Sequence, residues 1–445
     1  MKMQINRLKT MLGFVLIGVL PVALNAQQPK IGHFRAYDQS GINQFETSKA
    51  DSVKFEGLKI RWGSGFTMQF QNLKHENAAL NNTGTGANRL YPLSKGFMTA
   101  QANLYMDVQL ADGIAMNVTS YLSSRRHNET WVKGGYIQFD KVPFKGKFWD
   151  DVMKLVTLKV GHFEVNYGDQ HFRRSDGGQA LYNPFMDNYI IDAFTTEIGG
   201  EVYVQKNGFM GMIGITNGMI KGNVDSSIAT TQDPNVRKNP SIYFKGSYDA
   251  KVDKDVRVRF AVSHYTNYSN AGSGLTLYSG DRTGSNYQNV MEKGVPGALP
   301  ASTAIPVSGR LNPGFSKKMS ATMFNAFLKA YGFELFTTYE FSKGRTKTEV
   351  DDRKASQFAV EGVYRFGKEE NLFAGIRYNT ASARLAGFTS DIKVNRTAFA
   401  AGWFMTKNVL LKAEIVDQKY LDFPTSDYRA GGKFNGYVIE AIVGF

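Results

Sequence analysis

Apolar and polar residues alternate through most of this chain, and the alternation is clear in "GYVIEAIVGF" (436–445). One face of this stretch is apolar throughout and consists of Tyr437, Ile439, Ala441, Val443 and Phe445. The other face is mixed and includes Glu440 between glycines and aliphatic residues. Side chains of a β-strand point alternately to its two faces, so the pattern predicts a strand with two different surroundings.

About sixteen stretches show this alternation, and each is close to the length of a tilted strand that crosses a bilayer. They are residues 58–70, 96–110, 114–123, 131–139, 155–167, 196–206, 209–217, 241–250, 256–267, 319–331, 333–342, 355–366, 372–379, 392–405, 409–418 and 433–445.

The connections between these stretches alternate between short turns and long polar loops. The short ones have hairpin-turn sequences and are residues 111–113, 207–208, 251–255, 332, 367–371 and 406–408. The link at 140–154 is an exception, because it is long where a turn is due. The long loops include residues 71–95, 168–195, 218–240 and 268–318. We therefore predict an all-β fold: a closed antiparallel transmembrane β-barrel of about sixteen strands over residues 58–445, with short periplasmic turns and long extracellular loops.

The N-terminus has the layout of a secretory signal peptide. Lys2, Arg7 and Lys9 precede an apolar run from 11 to 24, and cleavage is expected after Ala26. An uncleaved anchor is the alternative, but the run is short for a membrane span and contains Pro21. We predict a signal peptide at 1–26, an N-terminal periplasmic segment at 27–57, and location in the cell outer membrane of a Gram-negative bacterium.

Composition narrows the possible functions. The chain has no cysteine, which excludes disulfides, thiolate metal sites and a cysteine nucleophile. No run of eighteen apolar residues follows the N-terminus, which argues against membrane helices. The net charge is +14, but in an exported protein this is no argument for nucleic acid, and no nucleotide, nucleic-acid or cofactor motif is present.

Two stretches resemble porins of the phosphate-selective O and P type: "LKVGHFEVNYGDQHFRRSDGGQALYNPF" (158–185) and "GWFMTKNVLLKAEIV" (402–416). The final strand also resembles the C-terminal signal of outer-membrane barrel proteins. These resemblances imply an outer-membrane porin that allows passive diffusion of small hydrophilic solutes, with a modest preference for anions such as phosphate. They also imply that Tyr437 and Phe445 belong to an aromatic girdle at the membrane surface.

Strand parity, meaning the odd or even position of a residue along its strand, predicts which charged residues line the lumen. The basic residues on the predicted inner face are Arg61, Lys245, Arg257, Arg259, Arg365, Arg377 and Lys412. The acidic ones are Asp107, Glu197, Glu201, Asp249, Glu334, Glu340, Glu361, Glu414 and Glu440. These nearly balance, so the wall predicts no strong ion preference, and the positive excess falls mainly on loops.

Arginine clusters favour phosphate and carboxylate ligands through forked hydrogen bonds, and charged rings set pore selectivity. The candidate pore-lining and anion-binding residues are Arg257, Arg259, Arg365, Arg377, Arg173, Arg174, Arg125 and Arg126. Arg173 and Arg174 would form an anion-selective constriction if loop 168–195 folds into the lumen. Alternatively, the loop arginines are solvated or bind lipopolysaccharide, and the strand arginines pair with glutamates across the wall.

His162, Glu164, Asp169 and His171 cluster in the sequence, but their spacing matches no established metal-ligand pattern. We therefore predict no enzyme activity, no catalytic residues, no metal and no cofactor. The alternative to a porin is a pore-blocked barrel that serves as a structural or docking subunit of a larger outer-membrane assembly, with loop 268–318 as plug or partner surface. Expected partners are outer-membrane lipid and lipopolysaccharide, small anionic solutes, and either further copies in a homotrimer or another outer-membrane protein.

Overall fold

Sixteen antiparallel strands form the wall of a closed barrel. Their bounds in this computed structural model are β1 (Lys59–Glu76), β2 (Gln101–Ala111), β3 (Ile114–Ser123), β4 (Trp131–Phe139), β5 (Val156–Glu164), β6 (Thr196–Lys206), β7 (Phe209–Thr216), β8 (Ser241–Asp253), β9 (Val256–Asn267), β10 (Lys318–Ala330), β11 (Phe333–Arg345), β12 (Arg353–Phe366), β13 (Leu372–Ala383), β14 (Ile392–Thr406), β15 (Val409–Leu421) and β16 (Lys433–Gly444). Each strand pairs with the next one along the chain, and β16 pairs with β1 to close the ring. The predicted fold class is confirmed, and every predicted stretch overlaps a strand of the wall.

The structure describes residues 28–445 apart from 124–129, 223, 225, 227, 235–236, 269–273 and 295–304. The predicted signal peptide at 1–26 lies outside the described residues, as do Arg125 and Arg126. Residues 31–445 form one unit. None of the described helices is both long and apolar enough to span a bilayer.

The predicted strand at 96–110 is interrupted. Gly96 and Phe97 form a separate short strand against β1, with Phe97 opposite Phe70, while Gln101 lies opposite Thr67. Three residues of this strand therefore face two of β1, which is a β-bulge that shifts the inside-outside parity. As a result Phe97 is exposed, and Met98, which regular alternation would place outward with Leu104, is buried.

The two surfaces of the wall differ in polarity as the alternation requires. Large apolar side chains such as Phe399, Ile415 and Val160 are exposed on the outer surface. Charged side chains such as Glu440 and Lys412 are buried on the inner side. In a closed barrel every strand is hydrogen-bonded on both edges, which permits such an apolar exterior to lie in lipid.

The predicted alternation of short turns and long loops is also confirmed, and we name the two ends of the barrel the short-turn end and the long-loop end. At the short-turn end the turn at 207–208 has positive φ at both Asn207 (51°) and Gly208 (84°), the geometry of a tight hairpin turn. The exceptional link lies at this end, between β4 and β5, and contains helix α1 (Lys147–Met153).

Three segments outside the wall lie against its inner face. Residues 31–58 precede β1 and contain one short 3-10 turn, Gln39–Gly41. Residues 165–195 link β5 to β6, and every residue from 173 to 197 is buried. In the β9–β10 loop, Tyr278 Oη donates a hydrogen bond to the inner-face carboxylate of Glu340. The lumen is therefore largely occupied by the chain itself.

Candidate functional site

Charged residues of the inner wall pair with charges on neighbouring strands. Arg377 lies opposite Glu361 in the strand register and contacts its carboxylate at 2.8 Å. Lys412 lies opposite Glu440, and the ammonium and carboxylate are 2.8 Å apart. Direct cross-strand neighbours are close enough for such pairs. The candidates on the wall are thus held by carboxylates.

Arg365 and Arg257 lie nearer the short-turn end. The Arg365 guanidinium contacts Glu334 at 2.7 Å. Arg257 is half-buried, donates to Asp249 at 2.6 Å and donates to the carbonyl of Asn43 at 2.9 Å. Both arginines line a cavity at this mouth of the barrel.

Arg259 on β9 joins the wall to two other segments. Its guanidinium donates to both carboxylate oxygens of Asp169, at 2.8 and 2.9 Å, and to Glu46 at 2.6 Å. Lys245, on the adjacent β8, lies 2.8 Å from each of the same two carboxylates. We call this group of Arg259, Lys245, Asp169 and Glu46 the wall network. It attaches the N-terminal segment and the 165–195 loop to the barrel.

Arg173 and Arg174 lie inside the lumen on the 165–195 loop, and both are buried. Arg173 contacts Glu334 at 3.4 Å and Glu361 at 3.5 Å, and donates to Asn43. Arg174 donates to Asp192 and stacks 3.6 Å from the centre of the Phe194 ring. Because both guanidinium groups already bind carboxylates, their binding of free anions stays a prediction.

A second group of charges connects two loops. Arg174 binds Asp192 and Asp281, and Arg310 contacts the same carboxylates at 2.6 and 2.8 Å. We call these four residues the loop network. Burial alone would raise the pKa of Asp192, but the guanidinium groups of Arg174 and Arg310 outweigh it and lower that pKa. Asp192 is thus held ionised between two arginines.

The N-terminal segment closes part of the short-turn mouth. The backbone N–H of Gln39 donates to the Lys407 carbonyl at 2.8 Å, and Lys49 contacts Asp140 at 2.9 Å. Arg35 donates to the Phe172 carbonyl at 2.8 Å, and its guanidinium carbon lies 3.5 Å from the centre of the Tyr182 ring. The periplasmic assignment of residues 27–57 stays a prediction, and the contacts place residues 35–49 against inward-facing groups.

The described residues enclose two cavities in the lumen. One has a volume of about 290 Å³ and lies between the N-terminal segment, strands β2–β6 and the 165–195 loop. Its lining mixes aromatic rings, amides and charges, and includes Tyr37, Tyr136, Gln138, Lys159 and Glu164. The other has a volume of about 600 Å³ and lies at the short-turn mouth.

Glu164, Asp169 and His171 of the histidine cluster form polar contacts with neighbouring side chains. His171 Nδ1 lies 2.6 Å from Glu164 and its Nε2 lies 3.0 Å from Asn166. Asp169 belongs to the wall network. Among the residues that the structure describes, no group of three or more histidines and carboxylates is arranged to hold a metal ion.

The two proposed girdle residues lie on the outer surface. Tyr437 is 40% exposed and Phe445 is 55% exposed, and the Tyr437 ring lies 6.5 Å from that of Phe70 on β1. Their membership of an aromatic girdle stays a prediction.

Sequence reasoning missed several inward residues. Arg396 on β14 is buried and donates to the Gln418 side chain and to the carbonyls of Asn188 and Gly309. Strand parity could have found it, since it shares its face with Val394 and Ala398. Arg310 and Glu46 lie in irregular chain, where no period indicates direction.

Comparison with known proteins gives a fold and no family. No family model matches the chain, and no curated protein matches it. Among solved structures, it is similar to an anion-selective porin from Comamonas acidovorans, with a TM-score of 0.53 and 11% identity over 87% of this chain and 100% of that one. It also matches the outer membrane channel DcaP of Acinetobacter baumannii, with a TM-score of 0.47 and 11% identity over 88% of this chain and 99% of that one.

The similarity to the Comamonas porin shows that this chain has a porin-like barrel fold. At 11% identity the similarity establishes the fold and not the function. The resemblance to porins is therefore supported at the level of the barrel, while the phosphate-selective O and P type stays a prediction.

Proposed function

We propose that this chain is an outer-membrane channel of the porin class, through which small hydrophilic solutes diffuse without catalysis. The observation that supports the proposal best is the contrast between an apolar exterior and a hydrophilic interior that retains two cavities. A sixteen-strand barrel is wide enough to leave an aqueous channel. No energy source or cofactor is part of the proposal.

The passage would be narrow. The N-terminal segment and two loops occupy much of the lumen, and the cavities are about 290 and 600 Å³. We therefore expect a small conductance and a low size limit for solutes.

A modest preference for anions is part of the proposal, and the mouth cavity gives it a physical basis. Six basic residues line that cavity, namely Lys251, Lys254, Arg257, Lys329, Arg365 and Lys407. Four acidic residues line it as well, namely Asp255, Glu334, Glu369 and Glu370, so six minus four leaves a net charge of +2. Charges that line a pore set its selectivity. Most arginines deeper in the lumen are paired with carboxylates, so the preference should be weak.

A pore-blocked barrel that serves as a scaffold or docking subunit is the second candidate. It is favoured by the buried ion pairs that fasten the N-terminal segment and the loops inside the lumen. Export through a cleaved signal peptide, assembly as a homotrimer, contact with another outer-membrane protein and binding of lipopolysaccharide remain predictions from the sequence.

The test is single-channel current in a planar bilayer under a salt gradient, with the purified and refolded protein. We expect a small steady conductance with a reversal potential biased towards anions. Lys254→Glu at the short-turn mouth should shift that potential towards cations, because it reverses one charge at the entrance.

Lys347→Glu is the matched control, because it reverses a lysine that is also exposed but lies at the long-loop end. Equal shifts in the two variants would argue against selection at the short-turn mouth. If circular dichroism and heat-modified gel mobility show a correctly folded barrel but no channel current is seen, the pore-blocked scaffold is favoured.

A further inference from the structure

The exceptional link at the short-turn end exposes a cluster of large aromatic rings. Phe144 is 58% exposed, Phe148 in helix α1 is 68% exposed and Trp149 is 38% exposed. The centre of the Trp149 ring lies 5.2 Å from that of each phenylalanine. Exposed apolar area costs about 25 cal/mol per Å² in water, so three such rings side by side indicate a surrounding other than water.

This aromatic cluster continues the apolar outer surface of the barrel. The link leaves from β4 and returns into β5, where Ile137 and Val160 are exposed on the lipid-facing surface. Within α1, Met153 is the residue that is buried against the barrel. The rings are thus held next to the band that faces lipid, at the end where that band stops.

The charges around the cluster suit the surface of a membrane. Residues 141–154 contain Lys141, Lys145, Lys147 and Lys154 against Asp150 and Asp151, so four minus two gives a net charge of +2. Lys147 and Lys154 both pair with Asp151, and Lys141 pairs with Asp112. Among the described residues, no carboxylate lies within ion-pair distance of Lys145. Lysines at the membrane surface place their stems on apolar groups and their ammonium groups among phosphates.

We propose that α1, with Phe144, Phe148 and Trp149, is an interfacial anchor that inserts into the phospholipid headgroup region of the leaflet on the short-turn side. Phenylalanine and tryptophan on one side with lysines around them are typical of segments that lie in the plane of the interface. Tryptophan in particular is enriched at that depth. The anchor goes beyond the channel activity, since it concerns where the barrel sits in the bilayer and not what passes through it.

The absence of native cysteine allows a clean test. A spin label on Phe148→Cys, in the full chain reconstituted into phosphatidylethanolamine and phosphatidylglycerol vesicles, reports accessibility to oxygen, which concentrates in lipid, and to a water-soluble nickel chelate. Lys254→Cys is the matched control, because Lys254 is exposed in a hairpin turn at the same end. We expect the label at 148 to be several-fold less accessible to nickel than the label at 254, and more accessible to oxygen.

Phe144→Cys provides a second position in case the label at 148 disturbs the helix, and it should give the same result. Nickel accessibility at 144 and 148 equal to that at 254 would overturn the proposal and leave the cluster free for a protein partner. Because the measurement needs only a folded barrel in a bilayer, it gives an answer whether or not the barrel conducts ions.

Discussion

The wall network and the loop network are both buried sets of arginine–carboxylate pairs, but their arginines are anchored differently. Arg259 of the wall network lies on β9, within the hydrogen-bonded barrel. Arg174 and Arg310 of the loop network both lie on loops. One network fastens irregular chain to a rigid surface, and the other fastens two irregular segments to each other.

This difference determines which charged partners each network retains when one of its members is lost. Arg259 also lies 3.3 Å from Asp249, which is partly exposed near the mouth, so it keeps a carboxylate partner if Glu46 departs. Asp192 and Asp281 depend on the two loop arginines, and all four side chains are buried. We infer that loss of the loop network separates the two loops from each other, whereas the N-terminal segment can detach without separating them.

The largest effect is expected from Arg310→Met. The substitution keeps approximate volume but leaves Asp192 and Asp281 with one arginine between them, and breaking a buried ion pair costs about 3–5 kcal/mol. The β9–β10 loop should detach from the 165–195 loop, which the wall network still holds at Asp169. We expect a clear rise in single-channel conductance and faster proteolysis of residues 305–317.

Arg384→Met is the matched control, since Arg384 pairs with Asp391 at the surface and both side chains are largely exposed. Exposed pairs contribute less than about 1 kcal/mol. If Arg310→Met conducts and resists protease like this control, the loops do not depend on the loop network.

A smaller effect is expected from Glu46→Gln. The amide oxygen can still accept a hydrogen bond from Arg259, but the negative charge that Glu46 presents to Arg259 and Lys245 is lost. Loss of one charged partner with the others retained should cost about 1–3 kcal/mol. We expect the N-terminal segment to open more often, seen as faster labelling of a cysteine introduced at Phe45, with proteolysis of residues 165–195 unchanged.

Release of that loop by Glu46→Gln would contradict the separation of the two networks. Gln44→Glu provides a comparison, because it changes charge at a partly exposed neighbouring position outside the wall network. It should leave labelling at position 45 unchanged.

The contrast between the networks also explains which features of the structure could be predicted from the sequence. Within strands the side-chain period is two, so parity placed Arg259, Arg377 and Glu361 on the inner face, where they are found. Parity fails where the backbone leaves the regular register, as at Phe97 and Met98. The inward direction of the wall charges was therefore predictable, although their pairing depends on the register between strands.

The contents of the lumen were not predictable in the same way. Glu46 and Arg259 are 213 residues apart, and nothing local in the sequence relates them. Arg310 lies in a segment rich in glycine, serine and proline that has no period. Helix α1 has seven residues, which is too short to show a helical repeat and depends on its contacts with the barrel. Irregular segments take their positions from distant partners, and a single sequence does not show which partners meet.

The smallest effect concerns a half-buried carboxylate that belongs to neither network. Glu292 lies in the same β9–β10 loop as Arg310, close to the Ser308 side chain. Among the described residues, no basic group lies within ion-pair distance of it, and the charge of Arg429 only partly offsets the effect of burial on its pKa. Burial raises the pKa of Glu292 from 4.5 to about 7.

Because the folded pKa lies above the unfolded one, ionisation of Glu292 opposes folding. The cost is absent below pH 4.5, grows as the pH rises to about 7, and stays constant above it. Glu292→Gln removes the charge, so it should stabilise the protein at pH 8 relative to wild type, by on the order of 2 kcal/mol after allowance for partial exposure, and have little effect at pH 5. Thermal unfolding of both proteins at the two pH values measures this. An equal difference at pH 5 and pH 8 would mean that Glu292 is already solvated or paired, and that this loop tolerates a carboxylate without an arginine beside it.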